Sequence, residues 1–377
     1  MHDYRLFDQG GGFVEYRVLG TTGVHVSTMC LGAGMFGRFG NTDRDECARM
    51  VHRSIDAGIN FIDTSDVYSF GESEEILGQA LKGRRHDVVL ATKYGLPVSG
   101  RTNHAGGSRR WIMHEVEQSL RRLGTDYIDL YQMHRPDPDT DLDDTLGALS
   151  DLVRQGKIRM AGCSTFPAEL IVESHWIAER RGRERFRTEQ PPYSILARGI
   201  EAHVLPTCQS YGMGVLVWSP LAQGWLSGKY RRGAEAAGVH RANLQPQLFD
   251  ASRPDTARKY DVVEDLVQVA DQAGTSLMGL AMGFVVAHPG VTSAIIGPRT
   301  PEQLEGLLSV ADVRLDAETL DRIDAIVPPG TSVSREDDGY VPPAIADKSR
   351  RRRVGSAEAI AISGRIDRLR EAFGNDK

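Results

Sequence analysis

The stretch INFIDTSDVY, residues 59–68, joins a short apolar run to a cluster of polar side chains. Ile59, Phe61 and Ile62 follow Gly58, and an apolar run this short after a glycine predicts a buried strand. Buried strands of parallel sheets carry few polar residues, yet this one runs into polar residues 63–66. The stretch alone leaves two interpretations open: a turn that caps the next helix, or functional groups at a strand end.

Strand-like and helical stretches alternate along the chain after a predicted hairpin at residues 15–27. The predicted strands are 29–34, 59–63, 87–93, 127–134, 158–164, 187–190, 214–220 and 291–297, and the helices between and after them are 43–57, 72–82, 109–122, 142–154, 167–181, 200–211, 257–273 and 301–311. This alternation predicts an α/β fold with a parallel sheet. Eight units favour a closed (β/α)8 TIM barrel, with a doubly wound open sheet as the rival.

The glycines of LGAGMFGRFG bear on that choice. Gly32, Gly34 and Gly37 fit the GxGxxG pattern of a dinucleotide-binding domain, and Asp63 or a neighbour would be its acidic residue. Both matches are weak. Polar residues recur at the ends of several other strands, which is typical of the C-terminal face of a barrel.

Four polar side chains belong to these strand ends. The second strand leads to Asp63 and Tyr68, the third ends at Lys93, and the fourth ends at His134. A cation beside a tyrosine favours the phenolate, and a carboxylate would hold that cation in place. A neutral imidazole can donate a hydrogen bond to a carbonyl oxygen. Each residue alone also fits a structural role, but together they predict proton donation to a carbonyl group while another group delivers hydride.

Several segments resemble the aldo-keto reductase family. They are GINFIDTSDVYSFGESEEILGQAL, LATKYG, LRRLGTDYIDLYQMHRPD, LVRQGKIRMAGCSTF and AIIGPRTPEQLEGLL. The resemblance covers roughly residues 15–327, which would form the barrel domain, with residues 328–377 as a C-terminal extension. It implies that NADPH binds at the C-terminal rim and that the GxGxxG match is incidental. It also implies a catalytic tetrad of Asp63, Tyr68, Lys93 and His134.

The start of the last predicted helix suits an anion. Thr300 fits the N-cap, Pro301 the first helical position, and Gln303 the fourth member of a capping box. A helix N-terminus attracts phosphate, and the Arg299 guanidinium suits phosphate oxygens. The resemblance implies that Arg299 holds the 2′-phosphate of NADP and that Gln303 lies by the adenosine.

The resemblance implies further cofactor contacts at other strand ends. Trp218 would stack on the nicotinamide, and Ser164 and Gln190 would hold its carboxamide. The remaining implied cofactor-binding residues are Gly32, Asp63, Ser219, Pro220, Leu221, Gly224, Lys229 and Gly297. The sequence departs from the family pattern in two places: Thr165 stands where asparagine is common, and Gly306 and Leu307 stand where an asparagine often lies near the adenine. NADPH preference is therefore expected to depend heavily on Arg299.

The implied activity is NADPH-dependent reduction of an aldehyde or ketone to an alcohol, with Tyr68 as general acid. The substrate pocket would be lined by Tyr68, by Trp111 or neighbouring loop residues, and by parts of 222–257. A keto-sugar nucleotide is an alternative substrate. A regulatory NADPH-binding subunit similar to potassium-channel β subunits is an alternative of another class.

Composition and charge favour an ordinary globular protein with a large core. The net charge of −6 over 377 residues gives no reason to expect nucleic-acid binding. The four cysteines lie far apart without a CxxC pair, which disfavours disulfides and a metal site and suits the cytoplasm. The N-terminus has no apolar signal region. The apolar stretch 277–296 is interrupted at residues 288–290 and is not expected to span a membrane.

The C-terminal extension has two predicted parts. Residues 328–355 are polar and rich in proline and glycine, with a basic run at 350–353, and they predict a solvated linker rather than a nucleic-acid patch. Residues 356–373 predict a helix with apolar side chains on one face. That helix would pack on the barrel or on another subunit, which leaves a homo-oligomer open.

Overall fold

Eight parallel strands close into a barrel in the computed structural model, which describes residues 14–232 and 246–352. A hairpin of β1 (Tyr16–Val18) and β2 (His25–Ser27) precedes it. The barrel strands are β3 (Met29–Gly32), β4 (Phe61–Asp63), β5 (Val89–Tyr94), β6 (Ile128–Met133), β7 (Ile158–Cys163), β8 (Thr188–Glu189), β9 (Gly214–Val217) and β10 (Ser293–Ile296). Each strand pairs with the next, and β10 closes on β3. The predicted barrel is confirmed and the open sheet is excluded.

Helices connect the strands on the outside of the barrel. They are α1 (Arg44–Asp56), α2 (Glu72–Ala80), α3 (Arg109–Leu123), α4 (Leu142–Arg154), α5 (Ala168–Arg181), α6 (Val204–Ser210), α7 (Pro254–Gln272), α8 (Leu277–Ala287), α9 (Pro301–Leu308) and α10 (Ala317–Ile326), followed by a single turn at Pro343–Ala346. The sequence did not predict α8 or α10. Helix α8 is buried over most of its surface and so lacks the amphipathic stripe by which helices are recognised. Helix α10 begins at the N-cap Asp316, whose side chain accepts from Thr319 N–H, a signal the sequence contains.

Within the described ranges, no single helix is long and apolar enough to cross a membrane. Helices α7 and α8 pass that test only as a pair, and they are bent by 88° relative to each other.

The alternation of side chains along each strand determines what fills the barrel. Phe61, Ala91 and Leu130 point inward and pack together in an apolar layer. Two residues further along the same strands, Asp63 and Lys93 meet inside the barrel. The period of two therefore puts an apolar layer beneath a polar one, nearer the C-terminal ends of the strands.

The hairpin closes the opposite end of the barrel. Leu19 and Val26 are fully buried and join the inward-facing Cys30, Phe61 and Leu130 in one apolar cluster. The hairpin is fixed there by Ser27, whose N–H donates to Asn60 Oδ1 at 2.8 Å just before β4. Charged and polar groups inside the barrel are thus separated from solvent at its N-terminal end.

Residues 331–339, called the C-terminal strap below, pack against the barrel. Val333 N–H donates to Leu196 O at 2.9 Å, and Arg198 N–H donates to Thr331 O at 3.0 Å. An ion pair of 2.6 Å joins Asp337 to the buried Lys259. These contacts correct the prediction of a solvated linker for this part of the extension, because backbone pairing and a buried charge hold it in place. The predicted helix 356–373 lies outside the described residues.

Candidate active site

The Lys93 ammonium group connects the polar side chains inside the barrel. Its Nζ donates to Asp63 Oδ2 at 2.5 Å, to the carbonyl oxygen of Thr64 at 2.8 Å and to the Tyr68 hydroxyl at 3.3 Å. The Lys93 and Asp63 side chains are 0% and 3% exposed. Strands β4 and β5 are neighbours, so their ends bring the two charges together. The structure thus joins three of the four residues that the sequence singled out.

The environment keeps Lys93 charged. Burial by itself would lower the pKa of this ammonium group. The charges and hydrogen bonds of Asp63 and Tyr68 outweigh that effect and raise the pKa above its ordinary value of 10.5. A protonated Lys93 therefore lies beside the Tyr68 hydroxyl.

Two glutamine side chains hold the other oxygen of the Asp63 carboxylate. Gln190 Nε2 donates to Oδ1 at 2.8 Å, and Gln132 Nε2 donates to it at 3.2 Å. The sequence reasoning missed Gln132. It lies two residues before His134 on β6, so the period of two could have indicated that it points into the barrel.

His134 completes the cluster next to Tyr68. The two rings meet edge to face, with centroids 5.8 Å apart. Burial first, and then the charges of Lys93 and Arg135, hold the pKa of His134 well below its ordinary value of 6.5. The imidazole is therefore neutral at pH 7 and carries one ring proton.

The turn after Tyr68 has an unusual backbone. Ser69, Phe70 and Gly71 all have positive φ, at 50°, 58° and 92°. Non-glycine residues in this region store strain and are common at functional sites. The Ser69 hydroxyl donates to Phe36 O at 2.8 Å, and a Cβ added to Gly34 would lie 3.5 Å from the Tyr68 ring. The loop after β3 and this turn together fix the position of the tyrosine.

The expected nicotinamide side of the site includes a buried donor without a partner. Trp218 Nε1 is buried and makes no hydrogen bond with any described residue. Ser164 is buried at the end of β7 and donates to Gln190 O at 2.8 Å. In the following loop, Ser219, Ala222, Gln223 and Gly224 all have positive φ. Such turns form concave backbone surfaces that bind anions, so these residues fit a nicotinamide dinucleotide.

Arg299 follows β10, the strand next to β9 in the barrel, and its backbone is held by two hydrogen bonds. Its N–H donates to Gln303 Oε1 at 2.8 Å, and its carbonyl oxygen accepts from Asn41 Nδ2 at 2.9 Å. Thr300 is the N-cap of α9, as predicted. Gln303 bonds Arg299 rather than the Thr300 N–H, so the predicted capping box does not form. The Arg299 guanidinium makes no ion pair within residues 14–232 and 246–352, which leaves it available to an anion.

The other predicted positions differ in how deeply they are buried. A Cβ on Gly32 would lie 2.6 Å from Ile295 Cγ2, so β10 requires this glycine. Trp111 is 2% exposed and stacks on His104 with centroids 5.0 Å apart. Leu307 is buried. Pro220 is buried, Leu221 is half-buried, and Lys229 and Gly297 are exposed.

Glu189, a buried group beside the site, escaped the sequence reasoning, whereas Thr165 was noted there only as a departure from the family pattern. Glu189 accepts from Phe166 N–H and from the Cys163 thiol, both at 3.0 Å. Burial raises the pKa of Glu189 from 4.5 to about 7. Thr165 has a φ of 60°, in the region that asparagine tolerates better than a β-branched residue.

Comparison with known proteins agrees with this arrangement. A model of the aldo/keto reductase family matches residues 28–328. The chain is 38% identical over 327 residues to the uncharacterized oxidoreductase YrpG of Bacillus subtilis (strain 168), covering 84% of this chain and 96% of the relative. It is 34% identical over 319 residues to aldo-keto reductase YhdN of the same strain, covering 83% and 94%. It is 36% identical over 323 residues to a probable voltage-gated potassium channel subunit beta of Oryza sativa subsp. japonica, covering 83% and 97%.

The fold, the polar cluster at the C-terminal rim and these matches define an oxidoreductase built on a (β/α)8 barrel. This chain belongs to the aldo/keto reductase family. The family predicted from the sequence motifs is confirmed.

Proposed function

We propose that this protein reduces an aldehyde or ketone to the alcohol, with NADPH as the hydride source. The observation that carries the proposal is the Lys93 ammonium group, buried between Asp63 at 2.5 Å and the Tyr68 hydroxyl at 3.3 Å. A cation so close to a phenol stabilises the negative charge that forms on its oxygen when the proton is transferred. The substrate would be a small carbonyl compound that enters at the C-terminal rim, and the cytoplasm is the expected location.

In this proposal, each member of the cluster acts on the carbonyl oxygen or on a neighbour. Tyr68 donates the proton to the oxygen, and Lys93 stabilises the phenolate that remains. Asp63 keeps Lys93 charged and oriented. His134 donates a hydrogen bond to the same oxygen and so orients the carbonyl group. General acid catalysis of this kind typically contributes about 10²–10⁴-fold to the rate.

The residues around the rim support a dinucleotide. When bound, NADPH supplies the hydride. Trp218 would stack on its nicotinamide, Ser164 and Gln190 would hold the carboxamide, and the backbone at 219–224 with Lys229 would hold the pyrophosphate. Arg299 would bind the 2′-phosphate, helped by the N-terminus of α9.

Replacing Tyr68 by phenylalanine tests the proposal. The Tyr68→Phe protein should bind NADPH as the wild type does and lose about 10²-fold or more of its aldehyde reduction. Tyr94→Phe is a matched control, since that hydroxyl is buried without a hydrogen-bond partner among the described residues. NADPH oxidation followed by absorbance measures the rate, and tryptophan fluorescence measures binding. A Tyr68→Phe rate close to that of the wild type would refute the role of the tyrosine.

A regulatory function is the second candidate, because a probable potassium-channel β subunit is 36% identical to this chain. Such a protein would bind NADPH and a membrane channel without sustained turnover. Continuous NADPH oxidation over a panel of aldehydes and ketones would favour the enzyme. Tight NADPH binding without turnover, together with direct binding of the purified protein to a channel subunit, would favour the regulatory function.

A further inference from the structure

Behind His134, two buried side chains form a chain of hydrogen bonds that the proposed function does not use. The Ser65 hydroxyl lies 3.1 Å from His134 Nδ1 and 3.0 Å from Asp66 Oδ1. His134, Ser65 and Asp66 are 6%, 0% and 2% exposed. Asp66 Oδ2 has no hydrogen-bond partner in the part of the chain that the structure describes. Apart from the Val67 N–H, which donates to the Ser65 hydroxyl oxygen at 3.5 Å, these three side chains have no other hydrogen-bond partner among the described residues.

The direction of the hydrogen bonds from Asp66 through Ser65 to His134 depends on the charge of Asp66, because the Ser65 hydroxyl has one proton to donate. A charged carboxylate can only accept, so Ser65 would donate to Asp66 and accept from His134 Nδ1–H. A neutral carboxylic acid can donate to Ser65, and Ser65 then donates to His134 Nδ1. In the second case, the ring proton of the neutral His134 is on Nε2.

The missing partner of Oδ2 determines where a neutral Asp66 keeps its proton. On Oδ2, the proton would be a buried donor with nothing to accept it, which is rare and costly in proteins. On Oδ1, it reaches the Ser65 oxygen. Only an acceptor oxygen then stays unsatisfied, which proteins tolerate better.

The surroundings favour the neutral acid. The charged and titratable groups that face this carboxyl are Glu74 from α2, Glu115 and Arg122 from α3, Tyr131 from β6, and His134. Burial first, and then the negative charges of Glu74 and Glu115, raise the pKa of Asp66 well above its ordinary value of 3.8. The Ser65 hydrogen bond and Arg122 oppose this shift. Arg122 is already paired with Glu74 at 2.6 Å and with Glu115 at 2.5 Å.

We propose that Asp66 and Ser65 act as two donors in series and hold His134 in the tautomer that carries its proton on Nε2. Nε2 makes no hydrogen bond with the described residues, so its proton is available to a ligand. In the opposite tautomer, Nε2 would be an acceptor and would repel a carbonyl oxygen. Ser65 and Asp66 are thus positioning residues for the donor. Their catalytic role rests on the proposed function, whereas the tautomer itself does not.

The tautomer can be measured on the full-length protein without any ligand. Nitrogen-15 NMR of histidine-labelled protein at pH 7 distinguishes a protonated ring nitrogen from a bare one, and it detects a bare nitrogen that accepts a hydrogen bond. A His134→Asn protein identifies the resonances of His134 among the 11 histidines. We expect a protonated Nε2 and a hydrogen-bonded Nδ1. A protonated Nδ1 in the wild type would overturn the proposal.

Three variants test the hydrogen bonds that link Asp66, Ser65 and His134. Asp66→Asn should preserve both resonances, since an amide with its NH₂ group toward Ser65 leaves the fewest donors unpaired. Ser65→Ala should remove the hydrogen-bond shift at Nδ1. Ser73→Ala is the matched control, because this buried hydroxyl bonds Thr64 and Ala33 O instead. A changed tautomer in Asp66→Asn, or unchanged His134 resonances in Ser65→Ala, would contradict the proposal.

Activity assays separate this inference from the proposed function. With a generic aldehyde and NADPH, Ser65→Ala should lower kcat several-fold, and the control Ser73→Ala should leave it at the wild-type value. The expected resonances without carbonyl reduction in the wild type would refute the proposed function and leave the tautomer assignment intact. Reduction together with a protonated Nδ1 would refute the inference alone.

Discussion

Lys93 and Asp63 form an ion pair of 2.5 Å inside the barrel, with both side chains almost completely buried. Each charge makes the burial of the other tolerable, because an isolated charge in this place would lack compensation. Gln190 and Gln132 saturate one carboxylate oxygen, while Thr64 O and the Tyr68 hydroxyl accept from the ammonium group. The pair is therefore a structural element as well as the centre of the proposed chemistry.

Removing both partners of this ion pair should cost less stability than the two single removals added together. We expect Asp63→Asn and Lys93→Met each to lower the free energy of unfolding by about 3–5 kcal/mol, because each leaves an unpaired buried charge. The double variant should lose clearly less than the sum of the two. Urea unfolding measures all three, and every variant should be inactive with an aldehyde.

The surface pair Asp56–Arg84 is the control for this cycle, since its side chains are 61% and 32% exposed. The substitutions Asp56→Asn and Arg84→Met should give a coupling energy below about 1 kcal/mol in the same kind of double-mutant cycle. Additive losses at Asp63 and Lys93 would mean that the two charges do not depend on each other.

Arg299 should discriminate between the two nicotinamide dinucleotides, which differ by the 2′-phosphate. A hydrogen bond to a charged group contributes about 1.5–3 kcal/mol, so Arg299→Ala should weaken NADPH binding roughly tenfold or more and NADH binding much less. Added salt should weaken NADPH binding by the wild type more than NADH binding, because the rim is open to solvent. Fluorescence titration with both cofactors measures the effect.

Arg53→Ala supplies a comparison for Arg299, because that guanidinium is already paired with Glu305 on α9 at 2.7 Å. It should leave the ratio of the two affinities unchanged. Equal losses of NADPH and NADH affinity in Arg299→Ala would remove the assignment of the 2′-phosphate site.

Glu189 should make the protein less stable as the pH rises. Its pKa in the folded protein is about 7, above the ordinary 4.5, so the folded state binds the proton more tightly than the unfolded chain. The stability that Glu189 contributes to the folded state therefore decreases as the pH rises from 4.5 to about 7, and it stays constant at higher pH. Glu189→Gln should be more stable than the wild type above pH 7, by roughly 3 kcal/mol at most, and equally stable near pH 4.

Thermal unfolding across this range of pH tests Glu189→Gln, with the exposed Glu173→Gln as the control. Glutamine can still accept from Phe166 N–H, so a change in packing is not expected. A stability difference that is the same at both ends of the range would argue against titration of this carboxyl group.

Thr165→Asn should stabilise the protein. A left-handed backbone costs about 1–2 kcal/mol for most residues and less for asparagine, and Thr165 has a φ of 60°. We expect a gain of about 1 kcal/mol in urea unfolding. Thr165→Val keeps the branched side chain and should show no gain. An asparagine variant no more stable than the valine variant would show that this conformation is not strained.

Much of the fold and of the candidate site follows from local patterns in the sequence. The alternation of strands and helices predicted the barrel, and strand ends predicted that Asp63, Lys93 and His134 would lie together. These predictions succeed because neighbouring parallel strands end at the same rim. Gln132 obeys the same rule and could have been found with it.

Other features depend on contacts between distant segments, and local patterns do not contain them. The position of the Ser65 hydroxyl next to His134 Nδ1 follows from the fold of the β4–α2 loop against His134. The C-terminal strap is polar like a linker, yet it is fixed by pairing with Leu196 and Lys259. Helix α8 has no polar face, so its surroundings rather than its own pattern define it.

The apolar cluster that contains Leu19 and Val26 closes the N-terminal end of the barrel in the described part of the chain, so the mouth of the barrel is at the C-terminal rim. Lys93 lies inside the barrel and is itself fully buried. Water must therefore enter at the mouth of the barrel to exchange protons with the Lys93 ammonium group, and a molecule bound there would block its access. Hydrogen–deuterium exchange at the Lys93 ammonium group should then become slower as more of the protein has a ligand bound at the rim. The exchange rate would thus report the fraction of the protein that is occupied.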